Sequence, residues 1–242
     1  MSDRRQLILI RHGESEWNRD NRFTGWADVG LTDEGLAHMR DAALALREAG
    51  MAIDLAYSSV LSRCVRSLWV LLDALECVWV PQRLDWRLNE RHYGGLTGLV
   101  KSQAERTHGE EAVRRWRRAF DAEPPPLDAA AQAHVRIDRR YADVPHERIP
   151  VGESLRQTVE RVREVWQELI APSMQTSRSL AVIGHGNSLR ALIKVIEGLA
   201  DAEIAQVEVA NGAPIIYTLG ADLSLTGKRV LAVEPRRCSE IL

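Results

Sequence analysis

The chain has no apolar stretch long enough to cross a bilayer. Its start, Met1-Ser2-Asp3-Arg4-Arg5, leads into an aliphatic run too short for a secretory signal. Its cysteines, Cys64, Cys77 and Cys238, are an odd, scattered set with neither metal nor redox spacing, so a cytoplasmic setting is expected, with each thiol a packing or surface group. There is little charge imbalance. Lys+Arg 32 against Asp+Glu 34 gives −2, which argues against a general binder of nucleic acid or membrane surfaces. Any anion site must therefore come from local clustering of arginines. A Walker loop is missing: Gly227-Lys228-Arg229 lacks the upstream glycine and the hydroxyl residue. Leu189 stands where a dinucleotide fingerprint starting at Gly184 would need its third glycine. Internal repeats and low-complexity linkers are also lacking. With 45% hydrophobic and 27% charged residues, the expectation is one ordinary globular domain over 1–242.

What is present is an alternation of strand and helix. Leu7–Ile10 reads as a buried strand, and Thr32 as the N-cap of a helix whose Leu36, Met39, Ala43 and Leu46 share a face before Gly50. A strand near Ile53–Tyr57 leads to a helix carrying Val65, Leu68, Leu72 and Leu75, and Val78-Trp79-Val80 reads as a strand ended by Pro81. Leu99–Phe120 reads as helix in two pieces around Gly109. Pro124-Pro125-Pro126 then ends regular structure, and an insert at about 121–152 has the weak pattern of a functional or mobile loop. Ser154 and Gln157 form a capping box opening a long helix through Val159, Val162, Trp166 and Leu169. Leu180–Ile183 is a second aliphatic strand, followed by a helix with Leu189, Leu192, Ile193 and Ile196. Pro214–Leu219 and Arg229–Val233 read as closing strands. The fold class expected is α/β, a three-layer sandwich with a mostly parallel central sheet flanked by helices on both faces.

Two of these strands end alike: four aliphatic residues, then a histidine beside glycine, in Arg11-His12-Gly13-Glu14 and Gly184-His185-Gly186-Asn187. Ligands of such sheets bind beyond the carboxyl ends of the strands. Either histidine alone is more often structural; two in matched contexts point to a site. A metal centre is disfavoured, since no carboxylate or cysteine stands at ligand spacing and Arg11 would repel a cation. Histidine beside a fixed cation suits phosphoryl transfer. One cation about 4 Å from an oxyanion is worth roughly 4 kcal/mol at an effective dielectric near 20. Arg114-Arg115-Trp116-Arg117-Arg118, taken blindly, is a solvated helix face or a nucleic-acid patch; the balanced net charge favours an anion site for part of it.

Leu9-Ile10-Arg11-His12-Gly13-Glu14-Ser15-Glu16-Trp17-Asn18, Asn21-Arg22-Phe23-Thr24-Gly25-Trp26, Tyr57–Arg63, Leu88-Asn89-Glu90-Arg91-His92-Tyr93-Gly94, Trp116-Arg117-Arg118 and His185–Arg190 together resemble the histidine phosphatase superfamily, in particular its cofactor-dependent phosphoglycerate mutase branch. The resemblance covers nearly the whole chain. It implies His12 as a nucleophile that attacks as neutral imidazole, with surrounding arginines lowering its pKa. It implies Arg11, Arg63 and His185 gripping the transferring phosphoryl oxygens, and Glu90 as general acid and base for the substrate hydroxyl. Asn18 and Asn187 would donate to phosphoryl oxygens, and Thr24 and Gly25 would touch the substrate. Tyr93, Lys101, Arg117 and Arg118 would hold its other end. Ser15, Arg91, His92 and Gly186 fall among the contacting residues, His92 without chemistry of its own. His38, His108, His134 and His146 are expected to be structural. The family further implies 2,3-bisphosphoglycerate as the phosphoryl donor priming His12, no metal, a small phosphorylated three-carbon acid as substrate, and a homo-oligomer (dimer or tetramer), with no nucleic-acid or membrane partner. The rival reading is a histidine-type phosphatase acting on small phosphate esters. Asn211 departs from the mutase pattern, where threonine is usual, and has no role that the sequence supplies.

Overall fold

A computed structural model describes residues 4–233. Its centre is a six-stranded sheet of β1 (Arg5–Arg11), β2 (Leu55–Ser58), β3 (Gln82–Leu84), β4 (Ser179–Gly184), β5 (Ile215–Leu219) and β6 (Leu225–Val230), in the order β3-β2-β4-β1-β5-β6. The first four are parallel; β5 and β6 close the sheet antiparallel. Alternation along the central strands builds two cores at once. Leu7, Leu9, Tyr57, Leu180, Val182 and Tyr217 face one way, and Ile8, Ile10, Ala56, Ala181, Ile183 and Ile216 the other.

The second face is covered by two helices. A four-residue turn of helix, α1 (Glu16–Arg19), precedes α2 (Asp33–Glu48), which Thr32 caps through its hydroxyl. It packs with α3 (Ser62–Ala74), whose first turn is capped from a distance: Asp28 accepts from the Ser62 backbone and hydroxyl, both at 2.7 Å. After α4 (Lys101–His108) and α5 (Glu110–Arg118), split at Gly109 as the sequence suggests, comes α6 (Ala129–Arg136). The first face is covered by α7 (Leu155–Val165), which continues through a wider turn at Trp166–Ile170 into α8 (Ala171–Thr176), and by α9 (Gly186–Glu197). The three-layer α/β arrangement is thus the one expected. No helix among the described residues is long and apolar enough to cross a membrane.

Three expectations change. Val78-Trp79-Val80 is a turn, with Val78 and Trp79 at 59% and 76% exposure, and the edge strand starts only after Pro81. The Pro81 carbonyl accepts from Ala56, so pairing begins at the proline, where a missing N–H costs nothing on an edge. The insert is not all loop: Asp128 caps α6, and single turns form at Arg139–Tyr141 and His146–Arg148. The last strand is Leu225–Val230, not Arg229–Val233, because its register is set by antiparallel pairing with β5. Cys238 lies outside the described residues.

Candidate active site

The parallel register of β1 and β4 sets Arg11 opposite Gly184, and the His12 backbone N–H donates to the Gly184 carbonyl at 3.1 Å. The two strand-end imidazoles are therefore neighbours, with ring centroids 5.0 Å apart and an edge-on angle of 65°. His12 is 3% exposed and His185 fully buried. The loop after β1 runs tight against the start of α2: a Cβ on Gly13 would lie 2.0 Å from the Gly35 carbonyl oxygen, so this path admits only glycine. On the other side, Asn211 Nδ2 donates to the His12 carbonyl at 2.7 Å, and Gly212 N–H to the Arg11 carbonyl. That gives Asn211 the role its sequence context withheld: it pins the backbone beneath the His12 ring.

His12 Nδ1 lies 2.6 Å from the Gly13 carbonyl. A carbonyl only accepts, so Nδ1 carries the proton and Nε2 keeps its lone pair. Burial first, then the charges of Arg63 and Arg11, hold the His12 pKa well below the ordinary imidazole value, against the Gly13 bond. The ring is thus neutral at pH 7, with a free nucleophilic nitrogen. His185 is lowered in the same way, by burial, then Arg63, then His12. Its Nε2 lies 2.8 Å from Ser59 Oγ and 3.3 Å from Cys64 Sγ, a thiol that burial pushes up to about 12 and so keeps neutral.

Arg63, in the first turn of α3, is 1% exposed and pinned by the Ala27 and Gly25 carbonyls, each at 2.8 Å. Arg11 Nη1 donates to Val209 at 3.0 Å, while its Nε is buried with no partner among the described residues, as is Thr24 Oγ1. Glu90 has one oxygen spoken for: Oε1 accepts from the backbone N–H of Arg91 at 2.7 Å and of Asn187 at 3.1 Å, the latter in the first turn of α9. Oε2 faces Gly186, where an added Cβ would lie 3.7 Å from it and 3.7 Å from the Arg11 guanidinium carbon. Asn18 turns its carbonyl oxygen to the Ser15 N–H, which leaves its amide NH₂ as a donor for the cavity it lines.

These groups line a cavity of about 240 Å³. The structure brings together on its wall His12, Arg11, Arg63, Glu90, Asn18, Thr24, Gly25, Tyr93, Lys101, Arg117, Arg118, Gly186 and Asn187, and adds Arg22, Phe23 and Arg190. Among the described residues Glu90 is its one carboxylate, against Arg11, Arg22, Arg63, Arg117, Arg118, Arg190 and Lys101. Crowding shows at Lys101, whose pKa falls through burial and then Arg117, Arg11 and Arg118.

Four expected contacts are not on the wall. Ser15 is the N-cap of α1. Arg91 is buried behind Tyr93, its guanidinium 4.7 Å from that ring. His92 accepts the Gly94 N–H and packs on Trp26, and burial brings it down to about 4. His185 stands behind His12. Arg190 was missed, although it sits one helical turn from Asn187 on α9, a spacing that marks a shared face. Arg22 lies inside a quoted segment and donates to Gly98. Among the described residues no cluster of three His, Cys, Asp or Glu side chains is placed to hold a metal ion.

The description of the histidine phosphatase superfamily (branch 1) matches residues 7–144 and 128–223. Among solved structures, a mycobacterial glucosyl-3-phosphoglycerate phosphatase is 23% identical, covers 97% of this chain and 100% of its own, and superposes with a TM-score of 0.69. A structure named mycobacterial hydrolase 1 is 23% identical over 94% of this chain and 96% of its own, TM-score 0.70. The alpha-ribazole phosphatase of Shigella flexneri is 20% identical over 96% of each chain, TM-score 0.65. At these identities the likeness is one of fold.

Proposed function

The chain belongs to branch 1 of the histidine phosphatase superfamily, whose members transfer phosphoryl groups, and from that premise we propose that it interconverts 3-phosphoglycerate and 2-phosphoglycerate as a mutase primed by 2,3-bisphosphoglycerate. One observation carries the reading. The reactive imidazole opens into a small cavity ringed with cations well beyond those needed for one phosphoryl group. A compact acid with anions at both ends matches that wall; a bulky neutral group does not. Arg11 Nε and Thr24 Oγ1, on two residues of that wall, have no hydrogen-bond partner among the described residues.

His12 Nε2 attacks phosphorus in line; the N–P bond forms as the bond from phosphorus to the substrate oxygen breaks. Arg11 and Arg63 hold the non-bridging oxygens, with guanidinium forks already fixed by protein carbonyls. Glu90 Oε2 gives its proton to the departing oxygen and takes one from the accepting hydroxyl when the phosphoryl group returns. Arg117, Arg118, Lys101 and Tyr93 keep hold of the far end, so the acid can turn without leaving. 2,3-Bisphosphoglycerate, when bound, supplies the phosphoryl group that first charges His12.

A second reading, hydrolysis of small phosphate esters through the same phosphohistidine, is favoured by the names of two structural relatives, both phosphatases. The two part at one product. Incubation with 3-phosphoglycerate, with and without 2,3-bisphosphoglycerate and in the presence of a chelator, is expected to yield 2-phosphoglycerate in a bisphosphate-dependent, chelator-insensitive way. Inorganic phosphate released at the rate of substrate loss, without 2-phosphoglycerate, would replace the mutase by the phosphatase.

A further inference from the structure

The carboxylate at the reacting centre stands on an irregular segment, not on a helix or strand, and something must hold it. Residues 87–92 run past the cavity with carbonyls that no secondary structure satisfies. A buried ion pair serves them. Arg161, on α7, is 6% exposed and meets Glu153, 2% exposed, in a two-pronged contact: Nε to Oε1 and Nη2 to Oε2, both at 2.8 Å. The remaining donors of Arg161 reach the backbone of the segment, Nη1 to the carbonyls of Arg87 at 2.6 Å and Asn89 at 3.1 Å, and Nη2 to that of Glu90 at 3.4 Å. Glu153 grips the segment from its far side: Oε2 accepts from the His92 N–H at 2.8 Å, and the Glu153 N–H donates to the His92 carbonyl at 2.8 Å. Trp26 Nε1 completes the hold on the Glu90 carbonyl at 2.6 Å.

We propose that the Arg161–Glu153 pair is the positioning device for Glu90, setting where its Oε2 meets the substrate oxygen. Arg161 does not itself line the cavity and reaches it only through the backbone of Glu90. A buried ion pair is a costly way to gain stability, since apolar residues of equal volume do as well. A planar guanidinium that satisfies several carbonyls and a carboxylate at once is a good way to fix a turn. The pair would thus act on proton delivery and not on the nucleophile. This inference rests on the reading in which Glu90 protonates the departing oxygen, and the experiment separates the two.

Single-turnover phosphorylation of His12 is measured from two donors. 2,3-Bisphosphoglycerate has an alkyl leaving oxygen that needs a proton; p-nitrophenyl phosphate has a leaving group that departs without one. Glu90→Gln is expected to slow the alkyl donor by about 10²–10⁴-fold and the aryl donor by less than about threefold. Arg161→Met is expected to show the same selectivity with a smaller loss, on the order of tenfold to a hundredfold, as befits a carboxylate displaced by about an ångström. Arg161→Lys, which keeps the charge beside Glu153 and the fold but cannot span the carbonyls, should fall between Arg161→Met and the parent. Equal slowing of both donors in the Arg161 variants would reduce the pair to a structural role and overturn the proposal. So would rates from both donors that stay at the parent's level in Arg161→Met and Arg161→Lys. Loss of selectivity in Glu90→Gln itself would overturn the role given to Glu90, and the proposal with it.

Discussion

The floor and the rim of the cavity are built differently. The floor, His12, Arg11 and Arg63, stands at the end of β1 and in the first turn of α3 with His185 behind it, and the hydrogen bonds that fix those three residues each have a backbone atom as one partner. The rim, Lys101, Arg117 and Arg118, stands on α4 and α5, two short helices each burying a single side chain, Ala104 and Val113. Arg118 is exposed, and among the described residues Arg117 pairs with Glu105 alone, at 3.8 Å. The difference matches the two tasks. Bond making needs groups held in place before the substrate arrives. In the proposed mutase reaction, holding, turning and releasing a doubly charged acid would need cations that can follow it.

The largest effect expected of this division is at the floor. His12→Ala should lose at least about 10⁴-fold in turnover and all acid-labile phosphate on the protein. Arg63→Met should lose about 10²–10³-fold, in kcat more than in KM, because its guanidinium is rigid and meets charge that develops at the phosphoryl group. Phosphoenzyme trapping with a labelled donor measures both. Acid-labile phosphate retained by His12→Ala would break the comparison at its base.

At the rim the effect should be smaller and of another kind. Arg118→Ala removes a solvent-exposed cation, worth about 1 kcal/mol at contact, so KM should rise by roughly fivefold to tenfold while kcat stays within about threefold. The rise should shrink with added salt, since exposed charge is screened over about 10 Å at 0.1 M. Steady-state rates at two ionic strengths decide it. A fall in kcat comparable to that of Arg63→Met would mean that the rim takes part in bond making, and the two regions would merge into one.

The floor was legible in the sequence and much of its support was not, for a physical reason. An aliphatic tetrapeptide ending at glycine, or Ser154 three residues before Gln157, states its structure within a few residues, and the strands and caps follow. Val78-Trp79-Val80 has the strand composition, but pairing with β2 is taken up by Gln82–Leu84, so tertiary context overrode propensity. The groups that hold the floor come from far along the chain: Asn211 reaches back to His12, and Arg161 to residues 87–90. Periodicity does not announce such contacts. A hint existed for Arg161, which interrupts the buried face of α7 formed by Thr158, Val162 and Val165; a charge in that position has to be answered by something. Arg190 ends the His185–Arg190 segment and lines the cavity, yet nothing in its local sequence sets it apart from a solvated helix arginine.

The smallest expected effect tests what the rigid floor costs. A histidine buried neutral has a folded pKa below the unfolded value of about 6.5, so below that pH the unfolded chain binds protons that the folded chain refuses. Stability from such a group is complete above about pH 6.5. It is lost as pH falls below that, until the folded pKa is reached. His12 and His185 are lowered well below 6.5, chiefly by burial, and His92 to about 4, so all three act together between pH 6.5 and 5.5. Each contributes at most about 1.4 kcal/mol per pH unit, and less near pH 6.5, where the unfolded imidazole is only half protonated. Urea unfolding at pH 7.5, 6.5 and 5.5 should show that slope, and replacing His12 by glutamine should remove one share of it. The rim offers a control, because Arg118→Ala changes no group that titrates in this window and should leave the slope alone. A slope unaltered by the His12 substitution would mean that the ring takes up its proton in the folded protein after all, and the uncharged nucleophile on which the floor depends would be lost.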